Sequence, residues 1–235
     1  MAGHSHWAQI KRKKAVLDVK KSQLISKLIN AITVAAREGN NPETNPKLRN
    51  AIERAKEFKV PLENIERAIK KAEDKNLNLE EVWYEAYFEE VSLLIKAITD
   101  NKNRTLGEIK HVLNKFNAKL ATPGSVKWNF EEKGVVEIAK TNEDKIIGFF
   151  DLISDLQEKN ENMMLITSVK NLNELKNKLL EAKIEILDSY IEFFPLNPIE
   201  IKDKAKLEQI TNLINELLEL EDVDEVFTNV KNLDF

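Results

Sequence analysis

The spacing of apolar residues changes once along the chain, near Lys75, and that change limits the fold to a helical segment followed by mixed helix and strand. Before it, Leu24, Leu28, Ile32 and Ala35 recur at the spacing of one helix face, with Ile25 and Ile29 beside them, and Gly39 closes the run. Asn45 offers a cap and Pro46 suits the first position of a second helix lined by Leu48, Ile52, Ala55 and Phe58. Pro61 interrupts that helix and opens a third. Here Ile65, Ala68, Ile69 and Ala72 face inward, with Glu63 and Glu66 near the start and Lys70 and Lys71 near the end, as the helix macrodipole favours. Residues 18–74 therefore read as three packed helices.

Beyond Lys75, residues 82–98 are rich in aromatic and β-branched types and read as two strands, the second Val91–Ile98. The polar stretch Thr99–Arg104 reads as a loop. Thr105 and Glu108 have capping-box spacing for a helix whose stripe is Leu106, Ile109, Leu113 and Phe116. The turn Thr122-Pro123-Gly124-Ser125 leads into an expected strand at Val126–Phe130, and Lys133-Gly134 punctuates before another at Val135–Ala139. The alternation continues with a helix after Thr141, a strand at Met163–Thr167, a helix at Leu172–Ala182 and strands across Ile184–Phe194. Pro195 and Pro198 mark a boundary. A helix carrying Leu207, Ile210, Ile214 and Leu217 and a strand at Val223–Phe227 complete an α+β pattern.

The 235 residues, 42% of them hydrophobic, suffice for one large domain or two to three small ones, and no apolar run approaches the roughly 20 residues of a membrane span. A cytoplasmic protein with no membrane partner is expected. With no cysteine, disulfides, thiolate nucleophiles and thiolate metal sites are excluded. The glycines, at positions 3, 39, 107, 124, 134 and 148, are too scattered for a phosphate-cradling loop. His4, His6 and His111 stand in no nucleophile motif, so no catalytic residue, cofactor or small-molecule substrate is expected. Asp222, Asp224 and Glu225 lack the spacing of a cation loop, and a solvated acidic face is the expected reading. If Met1 is removed, Ala2-Gly3-His4 offers the nitrogen set that Cu(II) or Ni(II) prefers. Competing ligands and metal scarcity make an incidental motif the favoured reading, and no metal is expected.

Charge is divided unevenly. Residues 1–75 hold 17 Lys and Arg against 9 Asp and Glu, a local charge of +8, whereas the remainder holds 19 against 31, or −12. A basic module on an acidic body points to a polyanion partner, and a solvated helical surface is the competing reading.

Several stretches, in order, carry a resemblance. The opening Met1-Ala2-Gly3-His4-Ser5-His6-Trp7-Ala8-Gln9-Ile10-Lys11, then Leu28–Arg37, Asn45–Ala51, Asn64–Lys71, Thr99–Thr105 and Gly124-Ser125-Val126 closely resemble the YebC/PmpR family of probable transcriptional regulators. The resemblance implies an α+β, multi-domain fold: an N-terminal three-helix domain followed by two α/β-type sandwich domains, one inserted in the other. The corresponding boundaries are 1–78 for the basic helical domain with its arm, 79–132 and 196–235 for a discontinuous central domain, and 133–195 for the insertion. It also implies DNA binding and transcriptional control for some bacterial members and activation of translation at the ribosome for others and for a mitochondrial relative. Two departures stand out. Tyr84-Glu85-Ala86-Tyr87-Phe88-Glu89-Glu90 replaces a Gly-rich turn, and His6 replaces the usual Lys before the tryptophan, which removes a charge near neutral pH.

The expected contact surface is the arm plus the first helix: Lys11, Arg12, Lys13, Lys14, Lys20, Lys21 and Lys27, whose charges neutralise phosphates without reading bases. Trp7 can stack on an exposed base or anchor the arm to an apolar patch. Asn101, Asn103 and Arg104 lie in the loop that precedes a helix N-terminus, where free N–H groups favour an anion; a self-capped loop is the alternative. The expected partner is nucleic acid, DNA in a non-enzymatic transcriptional regulator or ribosomal RNA in a translation factor.

Overall fold

The computed structural model describes residues 18–74, 77–159 and 161–233. These form two compact units, one spanning Phe130–Leu196 and the other comprising the described residues on either side of it.

The larger unit begins with α1 (Asp18–Ala36), α2 (Pro46–Glu57) and α3 (Leu62–Lys71). Leu24, Leu28 and Ile32 of α1 close over Leu48, Ile52 and Ala55 of α2 and Ile65 and Ala68 of α3. Asn45 caps α2 with its side-chain oxygen on the Leu48 N–H, while its amide donates to the Ala35 and Gly39 carbonyls and so ties the α1–α2 turn together.

The same unit holds an antiparallel sheet in the order β3-β1-β2-β8: β1 (Glu80–Phe88), β2 (Val91–Thr99), β3 (Lys119–Leu120) and β8 (Val223–Thr228). Two helices, α4 (Lys102–Lys115) and α6 (Lys204–Glu219), bury one face of it through Ile109, Leu113, Ile210, Leu213 and Leu217. Strand β2 is central and buried along nearly its whole length. The β1–β2 turn stays tight without glycine. Glu89 adopts φ +52, and the Lys206 ammonium holds both Glu89 and Glu90 across the turn.

The unit Phe130–Leu196 has an antiparallel sheet in the order β5-β6-β4-β7, from β4 (Phe130–Ala139), β5 (Asp155–Lys159), β6 (Asn162–Ser168) and β7 (Ile186–Pro195). Helix α5 (Leu172–Glu181) packs Leu172, Leu175 and Leu179 on Val136, Ile138, Met163 and Leu165. Gly134, expected to punctuate, lies inside β4 instead. A Cβ there would meet Leu172 at 2.9 Å, so the missing side chain is what lets the helix approach the strand.

Three other local expectations are corrected. Residues Lys127–Asn129 form a 3₁₀ turn rather than a strand, because the Val126 and Lys127 N–H groups bond the Glu85 carboxylate and not a neighbouring strand. The segment after Thr141 folds as two short 3₁₀ stretches, Lys140–Lys145 and Ile147–Leu152, in place of an α-helix. Helix α4 starts at Lys102 because Asn101, not Thr105, caps it.

Candidate nucleic-acid interface

Trp7, Lys11, Arg12, Lys13 and Lys14, together with Ala2-Gly3-His4, lie outside the described residues, and Lys20 and Lys21 fall in the first turn of α1. Lys27 is placed differently from expectation. Its ammonium is buried and donates to the Leu218 carbonyl at 2.7 Å and the Val223 carbonyl at 2.8 Å, at the junction of α6 and β8. Burial lowers its pKa to about 8, against the opposing pull of Asp224, Glu219, Asp222 and Glu221. It is a fastener between α1 and the sheet and offers no outward charge to a phosphate.

Arg54 of α2 reaches the same place and pairs with Glu225 at 2.5 Å. The segment Asp222–Glu225 is therefore not a solvated acidic face; all three carboxylates are buried. A bulge explains how they converge. Glu225 stands opposite Lys96 and Val223 opposite Ala97, which leaves Asp224 as the extra residue and turns Asp224 and Glu225 toward one ammonium, Lys96, at 3.0 and 3.7 Å. Burial alone would lower the Lys96 pKa, but Asp224, Glu225 and Glu81 raise it well above the ordinary lysine value. Asp224 is held below its usual value against burial by Lys96, Arg54 and Lys27. Among the described residues no group of His, Asp and Glu is arranged to hold a metal ion, and no helix is long and apolar enough to cross a membrane.

Because residues 27 and 54 both reach the start of β8, the C-terminal end of α2 lies beside the N-terminal half of α1. Exposed Lys56 and Lys59 stand there with no ion-pair partner among the described residues. They complement the negative end of α2 and belong to the net positive residues 1–75. Sequence reading passed over them because they sit singly between acidic and apolar neighbours.

The segment at Asn101–Arg104 is closed on itself. Asn101 Oδ1 accepts the N–H groups of Asn103 and Arg104, both at 3.1 Å, so those donors are already satisfied. Arg104 donates to both Asp222 oxygens, at 2.8 and 3.1 Å, and also pairs with Asp100 at 3.0 Å. Asp222 additionally accepts the Thr99 and Thr105 hydroxyls. The side chain of Asn103 is exposed, whereas the charge of Arg104 is matched by two carboxylates.

A loop that the sequence marked only as a turn carries the other notable surface. Glu85, buried in β1, accepts the N–H groups of Gly124, Val126 and Lys127. Burial would raise its pKa, but those three bonds and the Lys127 charge hold it below the usual carboxylate value. Tyr87 Oη and Trp128 Nε1 both donate to the Ser125 carbonyl at 2.7 Å. Lys127 Nζ sits 5.0 Å from the centre of the Trp83 ring, which stacks on Phe227. Trp128 is 65% exposed.

The pattern of matches to known proteins is decisive. Residues 5–75 match the TACO1/YebC protein N-terminal domain, and residues 79–230 match the TACO1/YebC second and third domain. This chain belongs to the TACO1/YebC family. Family relatives called "Probable transcriptional regulatory protein" include one from Thermotoga maritima, 42% identical over 97% of this chain and 93% of its own length. Another, from Aquifex aeolicus, is 41% identical over 97% of this chain and 95% of its own. The crystal structure of a conserved hypothetical protein from Aquifex aeolicus matches with a TM-score of 0.82 at 39% identity, covering 96% of each chain. The multi-domain α+β fold is thus shared with a solved member of the family.

Proposed function

We propose that this TACO1/YebC family member is a non-enzymatic regulator of gene expression that holds nucleic acid through its backbone, acting first as a DNA-binding transcriptional regulator. The observation that carries the reading is the charge division, +8 over residues 1–75 against −12 over the rest, in a family whose relatives are called transcriptional regulators. The contact surface of this proposal is the arm with Lys11, Arg12, Lys13 and Lys14, the first turn of α1 with Lys20 and Lys21, and Lys56 and Lys59 at the C-terminal end of α2. Lys27 leaves the set because its amine is committed to two carbonyls. Such contacts position a polyanion without reading base pairs.

A second reading, an RNA- or ribosome-binding translation factor, is favoured by one specific feature. An exposed indole such as Trp128 can stack only on a base that is not already stacked in a duplex, which RNA loops supply and duplex DNA does not. Crosslinking in living cells with separate recovery of bound DNA and RNA distinguishes the two. Strong enrichment of DNA supports transcriptional control, strong enrichment of RNA supports the second reading, and equal weak recovery of both defeats a specific regulatory role. In vitro, replacing Lys11, Arg12, Lys13 and Lys14 by Ala should reduce the slope of log affinity against log salt, by about 0.9 for each duplex-DNA phosphate that is no longer neutralised, with folding intact.

A further inference from the structure

We propose that Trp128 and Lys127, fixed by Glu85, form a stacking site for one unpaired base of single-stranded RNA. This deepens the nucleic-acid reading above and rests on it. The turn that carries Trp128 is rigid. A side chain that is 65% exposed ordinarily gains nothing from being held still, yet the Trp128 indole donates to the Ser125 carbonyl, which also accepts the Tyr87 hydroxyl. Behind them, the buried Glu85 carboxylate binds three N–H groups of one short stretch, from Gly124, Val126 and Lys127, so the turn has little freedom to move. Preorganising an aromatic face removes the ordering cost that stacking would otherwise incur.

The surroundings select the class of ligand. A protein partner anchors on an aromatic within a wider apolar rim, whereas the turn that carries this ring is mostly small or polar: Thr122 and Gly124 are exposed on either side of Pro123, and Ser125 is half-buried. An exposed ring held on a turn of mostly small and polar residues matches a flat group of similar size, a nucleobase. Charge agrees. Glu85 is consumed by backbone donors inside the turn, while Lys127 is exposed, with no ion-pair partner among the described residues, and Lys119 is exposed on β3 beside Tyr87. The Lys127 ammonium rests over Trp83, and as the residue preceding Trp128 it supplies a charge for the phosphate of a base stacked on that indole. Loops, bulges and ends with unpaired bases are the main targets of RNA recognition, whereas DNA is mostly duplex, and on that ground the strand is assigned to RNA.

The test uses the full chain with three probes of one length: fluorescein-labelled oligouridylate, oligodeoxythymidylate and an RNA duplex. Trp128→Ala should weaken oligouridylate binding by about 5- to 100-fold, leave duplex binding within twofold, and leave the salt slope unchanged. Trp128→Phe should retain most of the affinity, because its ring still stacks. Lys127→Ala should instead reduce the single-strand salt slope by about 0.7. Thermal melts of each variant exclude a folding loss. Oligouridylate affinity of Trp128→Ala within twofold of the unmodified protein overturns the site, as does an equal loss on duplex and single strand. A loss confined to oligodeoxythymidylate overturns the RNA assignment. The parent reading fails separately, when the unmodified chain binds none of the probes and no duplex DNA.

Discussion

Two polar loops of the larger unit, Thr99–Thr105 and Thr122–Trp128, use the same chemistry to opposite effect. Each is organised around a buried carboxylate brought from another part of the chain, Asp222 in the first and Glu85 in the second. In the first, Asp222 gathers two hydroxyls and the Arg104 guanidinium while Asn101 takes the helix N–H groups, so those donors are already matched within the protein. In the second, Glu85 binds backbone N–H groups alone and leaves the side chains of Lys127 and Trp128 facing solvent. Availability for a ligand is therefore decided by where the compensating partner comes from. A cation bonded to its own protein is a poor phosphate receptor, and an aromatic on an internally satisfied turn keeps its face for stacking.

The largest expected effect is at Asp222. Asp222→Ala leaves two buried hydroxyls and a guanidinium without their common acceptor and should cost about 3 kcal/mol in urea unfolding. A cost below about 1 kcal/mol would show that water replaces the carboxylate and that the loop is open. Glu85→Ala should cost about 2 kcal/mol, since three N–H groups lose their acceptor. The lowered Glu85 pKa sets a sign for pH. The stabilisation is present above the ordinary carboxyl value near 4.3 and is lost as pH falls through the lower folded value, so Glu85→Gln should flatten the acid limb of the stability profile.

Lys27 carries the comparison to a cation bound by carbonyls. Its folded pKa of about 8 lies below the unfolded value near 10.4, so between these the unfolded chain binds more protons and stability rises with pH. Unfolding of the unmodified protein and Lys27→Met, compared at pH 8, 9 and 10, should show the unmodified protein gaining up to about 1.4 kcal/mol per pH unit relative to the variant. Parallel profiles would mean that the amine is hydrated in the folded state. The smallest effect concerns the β1–β2 turn. Glu89→Gly relieves a left-handed residue but gives up an ion pair with Lys206, and should change stability by less than about 1 kcal/mol, read as a shift in the thermal midpoint.

The sequence by itself determined the three helices of residues 18–74, the strand pair β1–β2, helices α4 to α6 and the strands β6 and β8, because each is announced by local periodicity, caps or prolines. It also determined the family, whose motifs run from the N-terminus to Gly124-Ser125-Val126 and agree with the matches over residues 5–75 and 79–230. Only tertiary structure decided which polar side chains face a partner. Asp222, Asp224 and Glu225 look like a solvated run, yet a bulge and four cations, from α1, α2, β2 and α4, enclose them. Lys27 looks like part of a basic stripe, but its amine meets carbonyls 191 and 196 residues away. Val126–Phe130 alternates like a strand, and Glu85, about forty residues earlier, bends its start into a turn. Periodicity reports the side of an element that is buried. It carries no information about a hydrogen-bond partner supplied from a distant part of the chain, and for these charged and polar groups that partner fixes both burial and availability.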